Sequence, residues 1–414
     1  MRKWDVIVGG AGPAGSRIAE LLARTGADVL LLDPKAPWEK PCGGGLTAAA
    51  LANTPALLEL KDQSKEIHEI LTVAPSGASV VVPLRRPYRV ISRRVLSEWG
   101  LERARGAGAV LRSEAVARVK RTPPGWEVTD SNDRIYEARW LIGADGAASR
   151  IRSQVAPGFK PELDPTRVTY PATDAPAGRA VFQFLPKAEG YLWDFPRPGH
   201  RSVGIGVAPG TFQRDALDSA LEQYQTAESG SVASPATHWG AVIATSQWIS
   251  GSFDDLGGRD YALLGDAAGL ADPATGEGID YALRSASVAA AQFTSIRGFA
   301  DYPDAARREF GREMRRAKLI RRWLYHPAVA ELLVRHARRS RRAALLLMAL
   351  SDSINEHGSI SEALWRAIRG PKGELEVAKG VCDCPDGDGA SPPFGERDGP
   401  PLPRMPAARR RQVL

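Results

Sequence analysis

The sequence predicts an α/β fold in which a parallel-strand domain is interrupted by an antiparallel sheet and followed by helices. Three observations carry this reading. An apolar run from Asp5 to Val8 ends in Gly10-x-Gly12-x-x-Gly15 and passes into a segment of helical spacing, Arg17 to Arg24. Two later apolar runs also end in glycine–aspartate turns, Gly143-Ala144-Asp145-Gly146 and Gly265-Asp266. Between them, residues 165–255 alternate as antiparallel strands, and from Ile279 to about Arg369 the pattern is helical and arginine-rich.

The first unit is the most informative. A second apolar strand, Asp28 to Leu32, stops at Asp33 and completes a βαβ motif. Gly10 permits the tight turn, Gly12 lets a pyrophosphate approach the backbone, and Gly15 lets the helix pack close to the strand. Pro13 and Ala14, within the glycine motif, are expected at the cofactor, and the helix N-terminus supplies free N–H groups and positive dipole for phosphate. Asp33 is placed to accept hydrogen bonds from an adenosine ribose. The alternative is a glycine-rich turn that binds nothing, and the spacing does not separate FAD from NAD.

Bulk properties narrow the classes. A chain of 414 residues, 43% of them hydrophobic, is long enough for two or three globular domains. Its 3 cysteines, Cys42, Cys382 and Cys384, argue against a disulfide framework and for a reducing, cytoplasmic compartment. The N-terminus does not resemble a signal peptide, and the longest apolar run, Ala343 to Leu350, is too short to cross a bilayer. The net charge is +7, with much of the excess between Arg307 and Arg342 and again at Arg409-Arg410-Arg411. Such clusters meet nucleic acid or anionic lipid, although a solvated helix face is commoner. Cys382-x-Cys384 lacks further cysteines or clustered histidines, so no metal site is expected.

Taken in order, residues 34–46 form a Pro- and Gly-rich loop. Gly43, Gly44 and Gly45 allow a flat ligand or a phosphate chain to lie against backbone. Cys42 stands just before them, either as an acidified, reactive thiol or as a small buried gap-filler. Ile67 to Val82 suggests strands turning at Pro75-Ser76-Gly77; Arg93 to Ala107 reads as a helix and Ala109 to Val119 as a single strand. Trp126 to Val128 and Arg134 to Ala138 fit a hairpin, and Arg139 to Gly143 a further buried strand. Tyr191, Trp193 and Phe195 fall on one face of their strand, where they wall an apolar pocket or pack a core. Asp266 suits a ribose or ribityl hydroxyl. Gly276, Gly278 and Ile279 open a long helix whose N-terminus stabilises negative charge, or form an ordinary strand–turn–helix joint. From Pro371 onward the composition reads as a disordered tail.

Together these residues resemble the FAD-dependent geranylgeranyl reductase family, within the larger group that includes para-hydroxybenzoate hydroxylase. The larger group is matched by the first glycine motif, by Gly143-Ala144-Asp145-Gly146 and by Gly265-Asp266. The narrower family is matched by Lys40-Pro41-Cys42-Gly43-Gly44-Gly45-Leu46, by Tyr191-x-Trp193-x-Phe195-Pro196 and by Pro273-x-Thr275-Gly276-Glu277-Gly278-Ile279. The resemblance spans about residues 4–290. It implies FAD in an extended pose, reduction of C=C bonds in a prenyl substrate, Cys42 near the flavin as proton donor or gating thiol, and Arg93 at the cofactor. The chain departs from the family in reading Arg93-Arg94-Val95-Leu96-Ser97 where Arg-x-x-Phe-Asp is frequent, and Asp33 where Glu is usual.

The expected architecture is a Rossmann-like FAD-binding domain (residues 1–66, 91–165 and 256–300), an inserted antiparallel substrate domain (67–90 and 166–255), a basic helical region (301–370) and a tail (371–414). No second dinucleotide fingerprint is visible, so NADPH visiting transiently and reduced ferredoxin are both open as electron donors. The basic helices are expected to meet an anionic membrane surface; no nucleic-acid motif is visible, and nucleic acid is not an expected partner. A monooxygenase or halogenase acting on an aromatic or apolar compound fits the same cofactor motifs, because function belongs to the site and not to the fold.

Overall fold

The computed structural model describes residues 3–172, 179–211, 213–229, 237–245, 253–294 and 296–356. The expected tail from Pro371, with Cys382 and Cys384, lies outside them. The elements are, in order, β1 (Lys3–Gly9), α1 (Pro13–Ala23), β2 (Val29–Leu32), β3 (Gly45–Leu46), α2 (Ala48–Asn53), β4 (Ser64–Val73), β5 (Ser79–Ile91), α3 (Arg93–Gly106), β6 (Val110–Arg112), β7 (Val116–Thr122), β8 (Gly125–Asp130) and β9 (Ile135–Gly143). Then follow α4 (Arg150–Val155), β10 (Glu162–Thr169), β11 (Arg179–Phe184), β12 (Gly190–Arg197), β13 (His200–Val207), α5 (Arg214–Ser229), β14 (Trp239–Thr245), β15 (Tyr261–Leu263), α6 (Ile279–Gln292), α7 (Tyr302–Leu324), α8 (Pro327–Arg339) and α9 (Arg341–Glu356).

The first sheet runs β6-β2-β1-β9-β8-β7, with β15 also paired to β9. Its central strands are buried in one core with residues of α1, α3 and α6 and of strands β7 and β8, which is why they read as unbroken apolar runs. Gly9 pairs in register with Leu32 and Gly143, and Gly143 with Leu263. Leu32 pairs in turn with Arg112 of β6, so all five parallel strands end at one edge, the edge at which open α/β sheets bind ligands. Two of the expected boundaries move. Ala109 to Val119 is two strands: β6 lies parallel to β2, and β7 lies antiparallel to β8. Conversely, the hairpin strand from Arg134 and the buried strand from Arg139 are one element, because the first half of β9 pairs with β8 and its second half with β15.

The second sheet runs β14-β10-β13-β12-β11-β4-β5-β3. It extends beyond the expected insert, taking in Gly45–Leu46 and starting β4 at Ser64. The alternation along β12 sorts its two faces. Leu192 packs with Leu217, Leu221 and Tyr224 of α5, whereas Tyr191, Trp193 and Phe195 point to the opposite side.

The arginine-rich helices are not a separate basic region. Tyr325, Ala330, Val334, Ala337, Ala344, Leu345 and Leu347 are buried against Ala74, Val80, Val82 and Phe184 of the second sheet. Asn355 fastens α9 at both ends of its amide: Oδ1 accepts the Ala48 N–H (2.8 Å) and Nδ2 donates to the Arg86 carbonyl (2.7 Å). Among the described residues, no helix is long and apolar enough to cross a membrane.

Candidate active site

A cavity of about 630 Å³ runs from the carboxyl edge of the first sheet to the inner face of the second. It has two chemically distinct ends. The first is walled by backbone at Gly10, Gly12, Pro13 and Ala14, and by Asp33, Arg93, Asp145 and Asp266. The second is walled by Ile70, Phe182, Phe184, Tyr191, Tyr325, Leu347 and Ile354. Cys42, Gly43, Gly44, Trp193, Phe195, Gly276, Gly278 and Ile279 also line it.

The glycines of the first loop differ in what surrounds them. Gly10 has φ +94°, and a side chain there would strike the Ala144 carbonyl at 2.3 Å. Gly15 stands behind the cavity wall, where an added Cβ would lie 1.7 Å from the Gly10 oxygen. Gly12 is different: its Cβ would meet nothing within 4 Å. The protein itself does not require glycine there, and the backbone is left open for a group to lie against it.

The acidic residues are partly spent on protein donors. Asp33 accepts from the Ala11 N–H with one oxygen (2.7 Å) and from those of Lys35 and Ala36 with the other (2.8 and 3.0 Å), so it ties the loop after β2 to the glycine loop. Asp145 accepts from the Ser149 hydroxyl and from the N–H groups of Arg150 (2.8 Å) and Ile151 (3.1 Å), capping α4. Burial nevertheless pushes its carboxyl above the ordinary range. Asp266 pairs with Lys40 at 2.7 Å, joining the cysteine loop to the third strand end. Buried Arg152, which the sequence does not single out, donates to the carbonyls of Ala147 (2.8 Å) and Ala267 (3.1 Å) and so fixes the last two strand-end loops to each other.

Cys42 is held by residues distant in sequence. Its carbonyl accepts from Arg197 Nη2 (2.5 Å) and the Ser202 hydroxyl (3.0 Å). Arg197, fully buried, also donates to Glu39 (2.7 Å), whose carboxylate accepts the first N–H groups of α3 at Arg93 and Arg94. The Cys42 sulfur accepts from the Gly44 N–H at 3.3 Å. Burial pushes the thiol up, but the Arg93 guanidinium, the Gly44 N–H and the Lys40 charge outweigh it and hold its pKa below the ordinary value of 9.0. Gly43 is required by close approach: a Cβ would sit 2.9 Å from the Phe195 ring.

The third loop, residues 272–278, is organised by hydrogen bonds on both of its edges. Asp272 Oδ1 takes the N–H groups of Ala274 and Thr275 (both 2.8 Å), and Glu277 Oε1 takes that of Asp280 (2.8 Å). The N–H groups of Gly278 and Ile279, on the cavity wall, have no acceptor among the described residues. Tyr191 donates to the Thr275 carbonyl and stacks on Phe182 (centroids 4.2 Å apart) and Tyr325 (6.0 Å). Trp193 Nε1 donates to Ser202 at 3.3 Å.

The first end thus fits an extended dinucleotide on three observations. They are the empty cradle at Gly12, the buried Arg93 Nε that has no partner among the described residues, and the unpaired N–H groups that open α6. Sequence reasoning missed Glu39, Arg152, Arg197, Tyr325 and Asn355. Only Tyr325 left a trace, on the apolar stripe of its helix.

Comparison with known proteins agrees. The lycopene cyclase protein family matches residues 5–165. Digeranylgeranylglycerophospholipid reductase 2 of Methanopyrus kandleri is 33% identical over 345 residues, 76% of this chain and 85% of the relative. Geranylgeranyl diphosphate reductase of Rhodobacter capsulatus is 29% identical over 313 residues, 68% of this chain and 72% of the relative. The solved structure of a geranylgeranyl bacteriochlorophyll reductase-like protein from Thermoplasma acidophilum superposes with a TM-score of 0.70 at 20% identity, over 91% of this chain and 98% of that one, and so shares the fold. The chain belongs to the geranylgeranyl reductase family of FAD-dependent oxidoreductases.

Proposed function

We propose that the chain binds FAD along the first end of the cavity and saturates C=C bonds of a prenyl chain lying in the second. The observation that carries this reading is the continuity of the two ends: a backbone-lined trough opens into a chamber of aromatic and aliphatic side chains with Cys42 on the shared wall. Gly10, Gly12, Pro13 and Ala14 would hold the pyrophosphate, Arg93 and Asp266 the ribityl or phosphate region, and Gly276, Gly278 and Ile279 the flavin ring. When bound and reduced, FAD supplies the electron pair and one hydrogen for an alkene. Cys42 Sγ holds the other proton, and the neighbouring Arg93 and Lys40 charges stabilise the thiolate left when it departs. Tyr191, Trp193 and Phe195 exclude water and orient the chain against that sulfur. The relatives' names place geranylgeranyl groups on a glycerophospholipid and on a diphosphate, and the chamber suits the part those substrates share.

The test is anaerobic turnover. Purified protein, reconstituted with FAD and reduced by dithionite, is mixed with geranylgeranyl diphosphate or a geranylgeranylated glycerophospholipid. Mass gain in steps of two hydrogens is expected, and no gain with either refutes the assignment. Substrate-dependent oxygen consumption in place of it supports the monooxygenase reading. NADPH and reduced ferredoxin are then compared as donors.

The same proposal extends to a membrane. Leu319 and Trp323, one turn apart on α7, are 59% and 69% exposed, and Arg312, Arg315, Arg316 and Arg322 are exposed on the same helix. An apolar pair ringed by cations suits the headgroup region of an anionic bilayer. Co-sedimentation with phosphatidylglycerol vesicles but not phosphatidylcholine vesicles is expected, and it is lost in Trp323→Ser. Equal binding to both vesicles, or to neither, removes the membrane from the proposal.

A further inference from the structure

The loop that opens α6 is gripped by three side chains at three consecutive carbonyls. Arg321 Nη1 donates to the Pro273 oxygen at 3.3 Å, the Tyr325 hydroxyl to that of Ala274, and the Tyr191 hydroxyl to that of Thr275. Two of the three come from α7 and the turn that ends it, four residues and one helical turn apart. Arg321 is anchored in turn: it forks onto Asp164 of β10 (2.6 and 3.3 Å) and also donates to Glu189. The carbonyls are therefore fixed to the second sheet and to α7, not to the first sheet from which the loop emerges.

This arrangement fixes more than the carbonyls. A peptide's oxygen and N–H lie on opposite edges of one plane, so pinning successive oxygens sets the direction in which the chain reaches Gly276, Gly278 and Ile279. The Gly276 backbone, at φ +70°, passes so close to Ile243 that a Cβ would meet its side chain at 2.8 Å, so the path has little freedom elsewhere. The clamp also borders the apolar chamber. Tyr325 and Tyr191 stack with their planes 12° apart, and Phe182 continues the stack beyond Tyr191. The rings wall the chamber while the hydroxyls hold the loop.

We infer that Arg321 and Tyr325 are positioning residues that, through the Pro273 and Ala274 carbonyls, aim the Gly276–Ile279 backbone at the flavin ring and so set how strongly the protein favours the reduced cofactor. The inference rests on the proposed placement of that ring beside α6. Donors held toward developing negative charge stabilise the charged state more than the neutral one. A loop that loses its clamp consequently discriminates less between reduced and oxidised FAD.

The experiment compares Tyr325→Phe, Arg321→Lys and, as a control, Tyr302→Phe in the reconstituted full-length protein. Tyr302 is equally buried, and its hydroxyl donates to the Leu263 carbonyl of β15 at 3.0 Å, away from the clamp. Oxidised-FAD affinity is read by flavin fluorescence, the midpoint potential by spectroelectrochemistry, and folding by thermal melting. Tyr325→Phe and Arg321→Lys are expected to weaken FAD about 2- to 12-fold, the worth of one hydrogen bond, and to move the potential to more negative values. Tyr302→Phe is expected to lower the melting temperature without moving the potential. An unchanged potential in both clamp variants, with wild type taking up FAD, overturns the inference alone. Wild-type protein that takes up no FAD overturns the placement on which it rests. If Arg321→Lys does not fold because Asp164 loses its fork, Tyr325→Phe decides, since it keeps the ring and removes one oxygen.

Discussion

Gly12→Ala separates what the fold needs from what the ligand needs. Gly12 sits at φ −70°, ψ −173°, an extended conformation that alanine adopts readily, and its Cβ would touch nothing within 4 Å. As the N-cap of α1 it makes no side-chain hydrogen bond, so alanine there costs the free protein about 1 kcal/mol or less. The methyl group stands instead in the cradle assigned to the pyrophosphate. Displacing a charged group from its N–H donors costs about 1.5–3 kcal/mol, which is roughly a 10- to 150-fold loss of affinity. The assay is paired: thermal melting of the apoprotein, and FAD titration by fluorescence quenching. Melting within a few degrees of wild type with FAD affinity reduced by an order of magnitude or more is expected. Gly15→Ala is the counterpart. Its Cβ would lie 1.7 Å from the Gly10 oxygen, so the helix must move and the apoprotein melts earlier whether or not FAD is present. FAD affinity unchanged in Gly12→Ala would refute the placement of the pyrophosphate.

Other consequences follow from the same geometry. Cys42 must be protonated to donate, and its pKa lies below the ordinary 9.0, so donation is complete below that lowered pKa and is lost as pH rises through it. The alkaline limb of single-turnover reduction is expected at a lower pH than an unperturbed thiol would give, and Cys42→Ser is expected to abolish that limb along with most of the rate. A Cys42→Ser variant with full activity removes the thiol from the mechanism. Asn355→Ala leaves the Ala48 N–H and the Arg86 carbonyl without their partners, a loss of about 1–3 kcal/mol. Because α9 covers the chamber through Leu347 and Ile354, KM for a geranylgeranyl substrate should rise in this variant more than kcat falls. Gly43→Ala pushes the Phe195 ring, 2.9 Å from the new carbon, and should lower turnover while leaving FAD titration close to wild type.

The parts of the site that sequence revealed are those whose conformation is written locally. A strand that ends in glycine and passes into a helix is legible because the turn demands residues without a Cβ, as at Gly10, and the demand acts within a few positions. The cysteine loop and the aromatic strand are read from their residues with a packing alternative beside each, the resemblance favours the functional alternative, and both line the cavity. The residues that hold these pieces still were invisible for the opposite reason. Arg197 reaches Cys42 across 155 positions, and Asn355 reaches Ala48 across 307; no periodicity registers such a pairing. Where a trace existed, charge concealed it. Phe310, Met314, Ala317, Arg321 and Tyr325 recur at helical spacing and are all buried, yet Arg321 stands among so many arginines that the whole stretch reads as a solvated basic face. An arginine on the apolar stripe of a helix is costly to bury unless its donors are met. Its position there already implied acceptors inside the protein, and the structure supplies them as Asp164, Glu189 and a carbonyl of the loop that opens α6. Charge on an arginine-rich helix therefore has to be read position by position: off the stripe it faces solvent, and on the stripe it needs acceptors inside the protein.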